Sequence, residues 1–208
     1  MGATNTICGS EATVRERLLC AAVELFARKG YAATTVREIT DAAGVTKPVL
    51  YYHFGSKEGV YVALLGDALK TFEALLEEGL AQAGTVRDRI VRVLGDALDL
   101  MVANLDIVRL VHSVLFGHPQ GAPFFDFEAF HQRFIGVLRG LLEAGVAGGE
   151  LRDGDANDMA YAIFGAFDVC QGMVLLHPGS GFDRRRLERV LDVVFNGLLA
   201  DQAKESAQ

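Results

Sequence analysis

The residues best equipped for chemistry lie in one run near the N-terminus, Thr35-Val36-Arg37-Glu38-Ile39-Thr40-Asp41-Ala42-Ala43-Gly44-Val45-Thr46-Lys47-Pro48-Val49-Leu50-Tyr51-Tyr52-His53-Phe54. Gly44 divides it into two short helical segments. At about 100° per residue, Lys47, Pro48, Tyr51 and Tyr52 fall on one side of the second segment. Leu50 and His53 fall on another, with Thr46. A cation beside two tyrosines can meet phosphates, base edges and the thymine methyl group. The plainer alternative is a solvated face whose tyrosines pack on a neighbour. Two short helices broken by a glycine are also what a helix-turn-helix needs to set a rigid rod in the major groove of DNA.

The elements that must position this run are helical. From Glu11 to Lys29, Val14, Leu18, Ala21/Ala22 and Leu25 recur at helical spacing, and Gly30 follows Arg28-Lys29 as a stop. Thr34 or Thr35 caps the next helix, with Glu38 completing a capping-box pattern after Thr35. Val36, Ile39 and Ala42/Ala43 form its inner stripe. Gly44 suits a left-handed terminus, Thr46 can cap the second segment, and Pro48 is tolerated in its first turn. A helix restarts at Ser56-Lys57-Glu58-Gly59 and runs to about Gln82. Further helices are expected over Thr85–Ala103, Asn104–Phe116, Phe124–Ala147, from the Asp153-Gly154-Asp155 turn to His177, and Asp183–Asp201, with residues 117–123 as the clearest loop. No alternating strand of useful length and no internal repeat appear. The fold expected is all-α, with about nine helices.

Composition narrows the classes. The chain has 208 residues, half of them apolar, and can bury a substantial core. Residues 1–58 carry a charge of +1 and residues 59–208 carry -8, within a total of -7. The stretch Gly44–Lys57 has two lysines, a histidine and no acid. Phosphate neutralisation is a local requirement, so a small basic face on an acidic protein suffices. Residues 1–10 read as disordered rather than as a signal peptide. Met159–Leu176, the most apolar stretch, is interrupted by Asp168 and Gln171 and reads as a buried helix rather than a membrane span. Three unpatterned cysteines, Cys8, Cys20 and Cys170, favour a reduced, cytoplasmic protein.

Catalytic machinery is not expected. No serine or cysteine sits in a recognisable nucleophile turn, and no glycine-rich phosphate loop follows a strand. Glu128 and His131 could share a metal at i, i+3, but exposed charges near a helix start explain them and Asp126 more simply. Neither a metal nor a cofactor is expected.

Residues from about Val14 to Leu65 resemble the DNA-binding region of the tetracycline-repressor (TetR) family of bacterial regulators. The likeness rests on Ala21-Ala22-Val23-Glu24-Leu25-Phe26-Ala27-Arg28-Lys29-Gly30-Tyr31, Thr34-Thr35-Val36-Arg37-Glu38-Ile39, Gly44-Val45-Thr46-Lys47 and Leu50-Tyr51-Tyr52-His53-Phe54-Gly55-Ser56-Lys57-Glu58. It covers roughly a quarter of the chain. The resemblance implies a three-helix DNA-binding domain over residues 11–55 and a helical ligand-binding and dimerisation domain over 56–208. It further implies a homodimer on a near-palindromic, double-stranded operator, released by a small-molecule effector. An activator on the same scaffold, or a ligand-binding protein without operator binding, are the alternatives. Carried over by position, Arg37 resembles a DNA-contacting residue and Lys47, Pro48, Val49 and Tyr51 occupy base-facing positions. Tyr52, His53 and Lys57 resemble phosphate contacts, as do Thr35 and Thr46 through their caps. A packed or backbone-bonded histidine is an equal alternative for His53.

The remaining chain is less specific. The last two helices are apolar on more than one face and need two partners each, which fits a four-helix dimer interface or a deep monomer core. Asn104, Arg109, His112, Asp168 and Gln171 are polar groups in apolar surroundings and mark a possible pocket. Phe116, Phe134, Phe164 and Phe167 would supply its wall, with Phe124, Phe125, Phe127, Phe130 and Tyr161 as further possibilities. A hydrophobic or aromatic effector is expected. An Arg109–Asp168 ion pair, or plain core packing, would explain the same residues.

Overall fold

The computed structural model describes residues 12–116, 121–177, 179 and 181–197, and the side chains of 115 and 116 fall outside that description. The expected disordered residues 1–10 and part of the 117–123 loop therefore lie outside the described residues. Among the described residues there are nine helices and no strand: α1 (Val14–Lys29), α2 (Val36–Ala43), α3 (Lys47–Phe54), α4 (Lys57–Ala81), α5 (Val86–Ala103), α6 (Leu105–Phe116), α7 (Phe127–Ala147), α8 (Ala156–Leu176) and α9 (Arg184–Asn196). The all-α reading is correct.

The chain forms two compact units, residues 1–74 with 100–130, and residues 75–99 with 131–208. This division does not follow the functional boundary expected at residue 55, because the first unit takes in the start of α4 and all of α6.

In the first unit, α1 begins with a reciprocal cap. Thr13 N–H donates to the Glu16 carboxylate at 2.7 Å, and Glu16 N–H donates to the Thr13 hydroxyl at 3.3 Å. Its apolar stripe packs on α2 and α6, while α2 packs on α3. Leu18, Ala22, Phe26, Ile39, Leu50, Tyr61 and Leu65 form one buried cluster with Ile107 and Leu110 of α6. The turn between α2 and α3 depends on Gly44, whose φ of +64° is strained for any residue with a side chain. There the Gly44 N–H reaches the Asp41 carbonyl at 3.3 Å and the Val45 N–H reaches the Thr40 carbonyl at 2.9 Å.

In the second unit, α5 buries Ile90, Val93, Leu94, Ala97 and Leu98. The end of α4 passes so close that a Cβ on Gly79 would lie 2.2 Å from Val93 Cγ2. Arg184 at the start of α9 pairs with Asp96 at 2.5 Å and Asp99 at 3.0 Å, both on α5. Those hydrogen bonds raise the Arg184 pKa further, so this tie stays charged. Helix α8 packs on α9 and buries the stripe Ala160, Ile163, Phe167 and Cys170.

Three expectations change. Helix α7 starts at Phe127 rather than Phe124, because the Asp126 carboxylate accepts the Ala129 N–H at 3.0 Å and caps it there. Helix α9 stops at Asn196, where Gly197 takes φ +76° and donates to the Val193 carbonyl; residues beyond 197 lie outside the described residues. Cys170 is a buried free thiol, but Cys20 is disulfide-bonded, so the cysteines are not all reduced.

Candidate nucleic-acid interface

Helix α3 is held by one buried anchor. Leu50 is 0% exposed, and Val49 and Phe54 pack partly against the same core. Val49 therefore offers only part of its surface outward. Pro48 is accommodated because the first turn of a helix has no carbonyl for its missing N–H. Thr46 occupies the N-cap position with extended backbone angles, yet its hydroxyl makes no capping hydrogen bond. That differs from the expected cap and leaves an exposed hydroxyl beside Lys47 at the positive end of the helix.

The opposite side of α3 is open. Lys47, Pro48, Tyr51, Tyr52 and His53 are all exposed, with Tyr51 at 49% and Tyr52 at 86%. Two tyrosines this accessible are not packed on a neighbour, which removes the plainer explanation for them. Helical angle groups His53 with Leu50. It is instead exposed, its ring edge-on to Tyr52 at 5.2 Å, so it belongs with the outer residues.

Helix α2 adds its N-terminus. Thr35 makes the capping box foreseen from spacing: its N–H donates to Glu38 at 2.9 Å, and the Glu38 N–H donates to its hydroxyl at 3.3 Å. Glu38 is also bonded to Lys29 at 2.5 Å, and with the Thr35 bonds this holds its carboxyl down to about 2. Arg37 is exposed and, among the described residues, pairs with Asp41 at 3.5 Å, a surface pair that leaves its guanidinium available.

Lys57 is placed differently from the phosphate contact expected of it. Its ammonium donates to the carbonyls of Tyr31 and Thr34, both at 2.9 Å, and sits 4.0 Å from the centre of the Tyr31 ring. Burial, and then the charge of Lys29, lower its pKa. Two of three donors are thus committed to the turn between α1 and α2, and Lys57 acts there as a clamp.

The expected effector residues separate into the two units. In the first, Asn104 is buried at the α5–α6 break. It donates to the Leu100 carbonyl at 2.8 Å, while its Oδ1 is buried without a partner among the described residues. Arg109 is exposed and pairs with Asp106 at 2.9 Å, which accounts for its charge without Asp168. His112 is half-buried, and the Phe116 side chain lies outside the described residues. In the second unit Phe134, Phe164 and Phe167 do come together, with ring centres 5.6 and 6.2 Å apart from Phe134. His131 packs edge-on against Phe164 at 4.8 Å. Asp168 and Gln171 are half-buried on the same helix as Phe164 and Phe167. Among the described residues no three His, Cys, Asp or Glu side chains converge on a metal position.

Two open cavities of about 790 Å³ are present, and none of the nine expected effector residues lines either. One lies in the second unit, beside Leu142, Met159, Ile163 and Phe195. The other lies in the first unit between α1, α6 and residues 122–128, and Tyr61 lines it. Sequence reasoning passed over Tyr61, because an aromatic at helical spacing after Glu58 reads as ordinary core. Its hydroxyl is nonetheless buried with no hydrogen-bond partner among the described residues.

The comparisons with known proteins agree with this geometry. Residues 18–64 match the family described as bacterial regulatory proteins, tetR family. The HTH-type transcriptional repressor KstR2 of Rhodococcus jostii is 30% identical over 151 residues, covering 71% of this chain and 72% of that protein. The HTH-type transcriptional activator FasR of Mycolicibacterium smegmatis is 55% identical over 51 residues, but those span only 24% of this chain and 23% of that protein. Among solved structures, the transcriptional regulator FadR of Bacillus subtilis, in complex with stearoyl-CoA, superposes with a TM-score of 0.70 at 21% identity over 88% of this chain and 98% of that one. With its all-α fold, its exposed α3 and a repressor relative matched over most of both lengths, the chain belongs to the tetR family of bacterial regulatory proteins and is a DNA-binding transcriptional regulator.

Proposed function

We propose that this regulator acts as a homodimeric repressor on a near-palindromic operator and is released by an apolar effector. The observation that carries the reading is the exposed face of α3, on which Lys47, Tyr51, Tyr52 and His53 stand together without an acid. Thr35, Arg37 and Thr46 are its flanking contacts, Pro48 and Val49 lend apolar surface, and Lys57 supports the turn behind them. Two such helices in a dimer would read half-sites about 34–36 Å apart. The dimer reading is supported by α8 and α9, where Tyr161, Val169, Leu176 and Val193 are large, apolar and exposed in the single chain. Helix α8 is long and apolar enough to cross a membrane, but an apolar helix that buries only one stripe also fits a subunit interface.

For the effector, the aromatic group Phe134, Phe164 and Phe167 with Asp168 and Gln171 offers apolar surface and a few polar atoms, although neither cavity of about 790 Å³ touches it. Arg109 drops out of this reading because it is exposed and lies in the first unit, whereas these aromatics lie in the second. The stearoyl-CoA of the Bacillus subtilis structure makes a long-chain acyl-CoA the first effector to test. The experiment is a gel-shift titration against the DNA upstream of the protein's own gene, at physiological salt with excess competitor, followed by addition of stearoyl-CoA. Specific, saturable binding reversed by the ligand supports the whole reading. Specific binding that no acyl-CoA reverses removes the effector class, and no specific binding by a folded dimer removes its own upstream DNA as the operator.

A further inference from the structure

We infer that Arg15 is a positioning residue for DNA reading: it holds the last turn of α3 from behind, through Phe54, and does not itself touch DNA. This role presupposes that α3 reads DNA, which Lys47→Ala tests separately.

A helix of eight residues has few side chains with which to hold its place. In α3 only Leu50 is fully buried, and the first turn is bounded by the Gly44 corner with α2. Tyr51, Tyr52 and His53 are exposed. That leaves the half-buried Phe54, the last residue of α3, to secure the far end.

Arg15 meets Phe54 from α1. Its guanidinium carbon lies 5.6 Å from the centre of the Phe54 ring. The same guanidinium pairs with Asp67 on α4 at 2.7 Å, so α1, α3 and α4 converge on one side chain. A surface ion pair by itself adds little to stability. Here it fixes a planar cation against an aromatic ring, a geometry that a guanidinium suits better than an ammonium. From Phe54 the rings continue outward. Phe54 and His53 have ring centres 6.1 Å apart, and His53 lies edge-on to Tyr52 at 5.2 Å. The row starts at a half-buried arginine and ends at a tyrosine that is 86% exposed on the open face of α3. A contact behind the helix thus sets the direction of side chains in front of it.

A cation on a DNA-binding unit has a plainer use, a contact with a phosphate. The Arg15 side chain is 43% exposed, but Asp67 lies 2.7 Å away and would repel a phosphate at the same guanidinium. The two roles give opposite signs for Asp67. If Asp67 steadies a buttress, Asp67→Asn loosens α3 and weakens DNA binding. If Asp67 competes with phosphate for Arg15, the same change strengthens it.

The probe is a duplex selected by the unaltered chain from random-sequence DNA, compared with an unselected duplex of the same length. Binding is followed by fluorescence anisotropy over a salt series, with circular dichroism confirming that each variant is folded at the temperature used. Arg15→Ala and Asp67→Asn should each weaken binding to the selected duplex about fivefold, the worth of one exposed cation–π contact. Both should lower the preference for the selected over the unselected duplex, which a loss of stability alone would not do. Arg15→Ala should leave the slope of log affinity against log salt unchanged. The double variant should bind no more weakly than either single one, because both remove the same contact. A slope reduced by about 1.8 in Arg15→Ala, with tighter binding by Asp67→Asn, would place Arg15 on DNA and overturn the assignment. An unchanged preference in both variants, with binding weakened by Lys47→Ala, would overturn it while leaving α3 as the reading helix. If Lys47→Ala is also without effect, α3 is not the reading helix and the role of Arg15 falls with it.

Discussion

Lys57→Met tests whether this lysine clamps the α1–α2 turn or touches DNA. Methionine keeps the apolar stem and removes the ammonium. The loss is two charge-assisted hydrogen bonds to Tyr31 and Thr34 and one contact with the Tyr31 ring. Hydrogen bonds to a charged group are nominally worth about 1.5–3 kcal/mol each, and an exposed cation–π contact about 0.5–1 kcal/mol. Lys57 is only half-buried, and the freed carbonyls can turn to water, so the sum must be cut heavily. A net cost of about 2 kcal/mol is expected. For a chain of this size that lowers the melting temperature by about 4–8 °C. The second readout is the slope of log affinity against log salt for operator DNA. A phosphate contact contributes about 0.9 to that slope, so a dimer losing two would fall by about 1.8. The clamp predicts a lowered melting temperature and an unchanged slope. An unchanged melting temperature with the slope reduced by about 1.8 would refute it and return Lys57 to the backbone-contacting set.

The remaining predictions concern the same unit. Lys47→Ala and Tyr51→Ala should each weaken operator binding by about five- to a hundredfold, the range of one lost base contact, with melting temperatures unchanged; equal affinity in both variants would count against α3 as the reading helix. Leu50→Ala removes the fully buried anchor of α3 and should cost about 2–5 kcal/mol, measured by denaturant unfolding. Glu38 has a carboxyl depressed from 4.5 to about 2, first by Lys29 and then by Thr35. Its contribution is complete above pH 4.5 and is lost as the pH falls from 4.5 toward 2. Glu38→Gln should flatten that part of the stability–pH curve, and an unchanged acid limb would show that the carboxylate interactions are not formed in solution.

Much of the fold was legible because helices advertise themselves locally. Thr35 and Glu38 announce a capping box by spacing alone, and Gly44 marks a left-handed turn, both as observed. Errors fell where a boundary depends on one side chain choosing its partner. Asp126 caps α7 three residues later than the phenylalanine run suggested, and Gly197 ends α9 early. The α3 face was legible for a related reason: eight residues are too few to bury more than one anchor, so helical angle nearly decides which side chains stay in water. It erred only at His53, near the helix end. Lys57 could not be read this way, since its partners are backbone carbonyls 26 and 23 residues earlier, which carry no signature in residue type.

The effector residues were the least legible, and the reason is packing rather than missing signal. An apolar helix in a regulator has three possible neighbours: its own core, a second subunit, or a ligand. All three ask for the same residue types at the same spacing. On α8, Phe167 and Cys170 face inward while Val169 and Leu176 face water, and nothing in their identities separates the two sets. Polar residues discriminate better, because a buried polar atom must find a partner. That test does not reach Arg109, which is exposed beside Asp106 at the surface. It singles out the Tyr61 hydroxyl, the Asn104 Oδ1 and the Arg89 Nε, which are buried without a partner among the described residues. All three atoms are closed off from water, so an unpaired polar atom alone does not separate a ligand wall from plain core in this chain.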